Sequence, residues 1–236
     1  MEQMEDRTQK LLNSIVKEYI KTAQPVGSKL LVDKYNLDIS SATVRNEMAY
    51  LEEEGYIARP HTSAGRVPTE KGYKFYIKNS LEPKDINKTQ DKAFEKIVKS
   101  SKQDYRDLVK NLAKRIAENS GQMIFVSFGD GNFYYTGMSN IFSQPEFIEQ
   151  EMICDLSKMM DHFDEMIQKT FNSVDDEVRV MIGSANPFNN RCSTVVVNYD
   201  SGEDQGVFGL LGPMRMDYEE NMALVEHIRD LINNLD

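Results

Sequence analysis

"SSATVRNEMAYLEEEGYIARPHTSAGRVP", Ser40 to Pro68, joins two devices at Gly55. Before the glycine, Val44, Met48 and Leu51 recur at the helical period, and Ser40 is the residue type that caps a helix N-terminus. With those three inward, 100° per residue turns Ala42, Asn46, Ala49 and Glu53 outward and leaves Thr43 and Arg45 on the flanks. The exposed N-terminal turn is therefore thin. Ser41, Thr43, Arg45 and Asn46 are small or fork-shaped hydrogen-bonding residues of the kinds that reach base edges and phosphates, and Ala42 suits a thymine methyl. Glu52, Glu53 and Glu54 crowd the other end, which points away from a duplex when a helix enters the major groove by its N-terminus.

After Gly55, "YIARP" and "RVP" read as short strands around "HTSAG", with Pro60 and Pro68 limiting their pairing. His61 and Arg66 fall at the tip of this ribbon, placed for sugar and phosphate, or for Arg66 to enter the minor groove. A solvated helix face fits the first device as well; the ribbon behind it favours groove reading.

Working outward, Leu11, Leu12, Ile15, Val16, Tyr19 and Ile20 form one apolar stripe, so a core helix precedes. "AQPVGS" breaks it. Ser28 is placed to cap a short helix with Leu30, Leu31 and Tyr35, and the turn "NLDIS" leads to Ser40. Downstream, Thr69 caps "EKGYKFYIKNSL", whose Lys71, Lys74 and Lys78 lie on its flanks. "EPKDINKTQDK" has no apolar period and reads as a linker. The expected organisation is 1–81, linker 82–93, and 94–236.

From Phe94 one helical stripe runs to Ile116 and stops at Gly121, long enough to pair with a copy of itself or to pack on its own sheet. "QMIFVSFGDGNFYYTGM" reads as a hairpin. "PEFIEQEMICDLSKMMDHFDEMIQKTF" reads as helix, with its methionines as core filling. Strands "EVRVMIG", "CSTVVVNYD" and "GVFGLLG" and a last helix follow. This order describes an α+β domain, an antiparallel sheet with flanking helices as in PAS-like or GAF-like folds.

The net charge of −10 is unevenly spread. Residues 1–80 hold 12 basic and 11 acidic side chains, 81–118 hold 10 and 7, and 119–236 hold 6 and 20. The acid sits in the C-terminal half, so the N-terminal part retains a phosphate-binding option. No apolar run is long enough for a membrane helix, and the charged N-terminus is unlike a signal peptide, which points to the cytoplasm. Cys154 and Cys192 lack metal or redox spacing, and the three histidines have no nucleophile beside them. No Walker or GxGxxG motif occurs, so neither enzymatic activity, a metal nor a cofactor is expected.

"PVGSKLLVDKYNLDISSATVRNEMAYLEEEGYIARPHTSAGRVPTEKGYKFY", Pro25 to Tyr76, resembles the winged helix-turn-helix domain of the HrcA family of heat-inducible transcription repressors. "TGMSNIFSQPEF" from Thr136 and "GLLGPMRMDYEENMALVEHI" from Gly209 are similar to that family's C-terminal GAF-like blocks. The resemblance implies a homodimer that represses chaperone genes from an inverted-repeat CIRCE operator in double-stranded DNA, releases it on heat stress, and has the GroEL chaperonin as a partner. It implies DNA contacts at Ser40, Ser41, Thr43, Arg45 and Asn46 in the helix and at His61, Thr62, Ser63 and Arg66 in the wing. Between about Gly121 and Thr136 the chain is shorter than typical members, which carry an inserted dimerisation region. Dimerisation is therefore expected through the 94–116 helix or the sheet domain. The alternatives are a regulator that takes a small ligand through its GAF-like domain and a winged helix that binds another protein.

Overall fold

The computed structural model describes residues 4–35, 39–60, 65–82, 84–100, 104–148, 150–171, 174, 177–202 and 204–234. The chain divides into two compact units, Met1–Glu82 and Pro83–Asp236.

In the first unit α1 (Asp6–Thr22), α2 (Ser28–Tyr35) and α3 (Ser41–Glu53) are followed by β1 (Ile57–Ala58), β2 (Val67–Pro68) and α4 (Glu70–Ser80). The α1 stripe Leu11, Leu12, Ile15 and Val16 is fully buried, together with Leu31 of α2, Val44, Met48 and Leu51 of α3, and Tyr73 and Tyr76 of α4. β1 and β2 pair antiparallel, Ile57 opposite Pro68, and Val26 adds an antiparallel bridge to Arg66. That bridge was not expected from "AQPVGS"; the break between α1 and α2 serves as a third short strand. Gly55 ends α3 at φ 73°, the left-handed conformation its position calls for. Ser28 does more than start α2: its hydroxyl lies 3.1 Å from that of Ser41 on α3.

In the second unit α5 (Lys88–Ser100) and α6 (Tyr105–Ser120) precede β3 (Met123–Ser127), β4 (Phe133–Thr136) and α7 (Met138–Phe142). Then come α8 (Gln150–Asp161), α9 (Phe163–Phe171), β5 (Arg179–Ile182), β6 (Cys192–Asp200), β7 (Gln205–Pro213) and α10 (Tyr218–Asn233). The five strands form one sheet in the order β4-β3-β7-β6-β5, antiparallel throughout. Strand side chains alternate between faces. Met123, Phe125, Val196, Val207 and Leu211 share one core with Leu156 of α8 and Phe163 and Ile167 of α9. The alternate set, Ile124, Val126, Val195, Val197, Phe208 and Leu210, is equally buried. On this side α6 touches β3, and α10 touches β6 and β7. The sheet is thus covered on both faces, which the near-continuous apolar runs of β3, β6 and β7 require.

Three expectations are corrected. The single helical stripe from Phe94 is two helices, because Asp104 accepts a hydrogen bond from the Arg106 amide at 3.0 Å and starts a new one. The stretch 82–93 is only partly linker: α5 begins at Lys88, since its one fully buried anchor, Phe94, suffices to dock a helix that is otherwise charged. The long helix expected after Pro145 is a 3₁₀ turn followed by α8 and α9, parted at His162. Its methionines behave as read, with Met152 and Met159 in the core.

Gly72 explains how α4 sits against the ribbon. A β-carbon there would lie far inside van der Waals contact distance of the Tyr56 carbonyl oxygen. That same carbonyl accepts from the Thr69 amide at 3.0 Å, and the Thr69 hydroxyl donates to Gly55 O at 2.6 Å and caps α4 at Gly72 N. Because the obstacle is backbone, alanine's helix propensity does not rescue the substitution. Gly72→Ala is expected to lower stability by about 1–3 kcal/mol in urea unfolding; an unchanged or raised midpoint refutes the close contact.

Candidate nucleic-acid interface

The N-terminal turn of α3 is built from hydroxyls. Ser40, in extended conformation, accepts from the Thr43 amide at 3.1 Å, and its oxygen lies 3.0 Å from the Thr43 hydroxyl. The Ser28 hydroxyl takes a hydrogen bond from Arg45 Nε at 3.3 Å while holding Ser41, so the guanidinium is steadied at the mouth of the α2–α3 junction. Ser40, Arg45 and Asn46 are exposed; Ser41 and Thr43 are half-buried between them. The structure thus brings five of the nine sequence-predicted residues together at the cap and first two turns of α3. His61, Thr62 and Ser63 lie outside the described residues.

Arg66 is placed differently from its expected role at the ribbon tip. Its backbone pairs with Val26 in both directions, at 2.8 and 2.9 Å, and its guanidinium is bound to Glu52 at 2.8–2.9 Å with the side chain only 14% exposed. It is a strut between α3 and the ribbon, and its charge is spent on Glu52. Gly65, beside it, is needed for close packing against the Val26 backbone. The exposed cation of the ribbon is Arg59, 42% exposed and 3.7 Å from the same carboxylate. Tyr50, 49% exposed and one turn beyond Asn46, also belongs to the outer face.

These pairings remove negative charge from the face. No acidic residue lies in the first turn of α3. Glu47 is drawn inward to Arg7 and to the Thr8 hydroxyl of α1 at 2.6 Å, and Glu52 is held by Arg66 and Arg59. Glu53 is exposed at the far end. The unsatisfied amides of a helix N-terminus carry partial positive charge, so the hydroxyl-rich turn is the electropositive end of α3.

α2 is locked to α1 by Glu18, a carboxylate only 3% exposed that receives Lys34 Nζ at 2.6 and 2.9 Å and the Tyr35 hydroxyl at 3.0 Å. The bond from Lys34 holds the Glu18 carboxyl below its usual range against the opposing effect of burial, and burial beside Glu18 pushes the Tyr35 phenol up to about 12.

In the second unit the polar turn before α10 is structural. Asp217 caps the helix through the Glu220 amide at 3.0 Å, and Arg215 is bound to Glu146 and Gln144. Burial pushes the Cys192 thiol up to about 12, while Cys154 is exposed. Among the described residues no three His, Cys, Asp or Glu side chains converge as a metal site, and no helix is long and apolar enough to cross a membrane.

The family model described as "HrcA protein C terminal domain" matches residues 69–222. The "Heat-inducible transcription repressor HrcA" of Rhodococcus jostii (strain RHA1) is 41% identical over 128 residues, which cover 54% of this chain and 37% of that relative. The protein of the same name from Natranaerobius thermophilus is 28% identical, with 94% of each chain covered. That alignment runs over 324 positions against the 236 residues here, so the relative has residues without a counterpart in this chain. A crystal structure of a hypothetical protein at 2.2 Å resolution shares the fold, with a TM-score of 0.80 at 19% identity over 99% of this chain and 98% of that one.

The Glu18 lock generates a pH-dependent expectation. A carboxyl held low in the folded state stabilises above its unfolded value of about 4.3, and that contribution is lost as pH falls through the folded value. Lys34→Met is expected to cost about 1–3 kcal/mol in urea unfolding at pH 7 by stranding the buried carboxylate. The deficit shrinks towards pH 4, where Glu18 takes up a proton in the variant; a deficit that stays constant between pH 7 and 4 argues that the pair contributes packing alone.

Proposed function

The chain belongs to the HrcA family, and from that membership together with the outer face of α3 we propose that it is a sequence-specific, double-stranded-DNA-binding repressor of heat-shock chaperone genes. The observation that carries the reading is the thin, acid-free N-terminal turn of α3 with Arg45 and Asn46 exposed behind it. In this reading the first unit is a winged helix. α3 enters the major groove by its N-terminus; Ser40, Ser41 and Thr43 meet phosphate and base edges, and Arg45 and Asn46 read bases by paired hydrogen bonds. The ribbon grips beside the groove through His61, Thr62 and Ser63, with Arg66 holding it to α3.

The second unit is assigned as a GAF-like regulatory and dimerisation domain. An inverted-repeat, CIRCE-type operator asks for a two-fold protein whose recognition helices stand ~34–36 Å apart or a multiple of that. Release on heat stress and coupling to GroEL are the remaining parts of the proposal, carried by the family resemblance. A second reading, a response to a small ligand, is favoured by a cleft of about 450 Å³ between the β3–β4 turn and α9, lined by Asn132, Phe133, Asp164, Gln168 and Phe171 among others.

Fluorescence anisotropy with an inverted-repeat duplex and a scrambled duplex of equal length tests the main reading. Binding is expected to prefer the repeat and to weaken with salt, and Arg45→Ala is expected to cost ~1–3 kcal/mol on the repeat with little effect on the scrambled duplex. Equal affinity of the wild type for both duplexes, or an Arg45→Ala loss of the same size on both, overturns base reading by α3.

A further inference from the structure

Helix α5 carries lysines at positions 88, 92, 96 and 99. At 100° per residue these fall within an arc of about 80°, a stripe roughly 17 Å long at 1.5 Å per residue. All four are exposed in the full chain, while Phe94 on the opposite side is completely buried. Lys99 is paired with Glu95 at 2.8 Å and remains 75% exposed; Lys88, Lys92 and Lys96 make no ion pair among the described residues. The acids nearby include Glu95, about 20° outside the arc, Asp91, about 60° outside it and 3.3 Å from His227 Nε2 of α10, and the exposed Asp85 just before the helix. This stripe stands on a unit whose residues 119–236 hold 20 acidic against 6 basic side chains.

The proposed repressor function brings DNA to the first unit, and the tether keeps α5 close to it. α4 ends at Ser80 and α5 begins at Lys88. The seven residues between them span at most about 25 Å when fully extended. A cationic stripe tethered by so short a segment to the unit that the proposed function gives to DNA, on an otherwise acidic body, has phosphates as a complementary partner. We propose that this face of α5 is a second DNA-contact surface, which grips phosphates flanking the site read by α3 without regard to sequence. The inference rests on the DNA-binding reading above.

The test is the salt dependence of affinity of the full chain for the inverted-repeat and scrambled duplexes. Three proteins are compared: wild type, a Lys88→Gln/Lys92→Gln/Lys96→Gln/Lys99→Gln variant, and a Lys158→Gln/Lys169→Gln control that changes exposed lysines on α8 and α9. Glutamine matches lysine in helix propensity, and circular dichroism checks that α5 persists. Two to four phosphate contacts make the slope of log K against log salt shallower by roughly 2–3.5 in the quadruple variant, and the preference for the repeat is kept. The control keeps the wild-type slope.

An unchanged slope in the quadruple variant, with the wild type still preferring the repeat, overturns the surface and leaves the repressor reading standing. Equal flattening in the control overturns it too, as an effect of net charge. Wild type that binds neither duplex removes both. If the slope is unchanged and salt-sensitive self-association in sedimentation is lost instead, the stripe belongs to the acidic face of a second copy.

Discussion

The inner edge of α3, Val44, Met48 and Leu51, is buried with the apolar stripe of α1, and this burial determines which side chains are left outside. Each of the three contributes about 1.5–3 kcal/mol on leaving water, whereas an exposed ion pair such as Arg7–Glu47 is worth about 0–1 kcal/mol. Rotating α3 by even one residue would bury Arg45 and expose Val44. The hydrophobic contact therefore selects the outward face, and the pairs of Glu47 and Glu52 only trim what that face presents. Capping by Ser40 then decides where the helix begins, and hence which amides point outward at its electropositive end.

Periodicity made that face readable in the sequence, because inward and outward positions follow from the same 100° rule. Ser40, Thr69 and Gly55 were readable for a related reason: caps and left-handed stops depend on one residue and its immediate neighbours. Arg66 was not readable. In sequence it is a cation beside a turn, and only the approach of the ribbon to α3 brings Glu52, fourteen residues earlier, within 2.8 Å. Gly72 was hidden in the same way, since what excludes a β-carbon is a carbonyl sixteen residues away. The start of α5 was missed because one buried phenylalanine among charged residues leaves almost no periodic signal.

The ion pairs of the first unit also bear on how a chain of net charge −10 meets a polyanion. Screening confines the influence of an exposed charge to about 8–10 Å at physiological salt, so net charge governs encounter less than the charges within that radius. Towards the N-terminal half of α3, Glu47 is already paired with Arg7, Glu52 is paired with Arg66 at the far end, and the hydroxyls offer hydrogen bonds without a charge of their own. Such a surface gains little from electrostatic attraction alone. In the proposed DNA-reading role, discrimination rests on fit to base edges, and affinity has to be supplied in part from elsewhere.

That need is what gives the acidic C-terminal half its physical meaning. Residues 119–236 hold 20 acidic against 6 basic side chains, so an approach of phosphate to them is penalised at short range. Like charge of this kind also opposes the close approach of a second acidic body. The acid is not uniform over the unit: β4 forms one edge of the sheet. Phe133 and Tyr135 stand stacked there with ring centroids 6.5 Å apart, both against Phe163, and the nearest hairpin acid, Asp130, is bound by Arg106. The hairpin thus pairs its acid locally, while the excess of acid over the rest of residues 119–236 remains to repel a like-charged body or a polyanion.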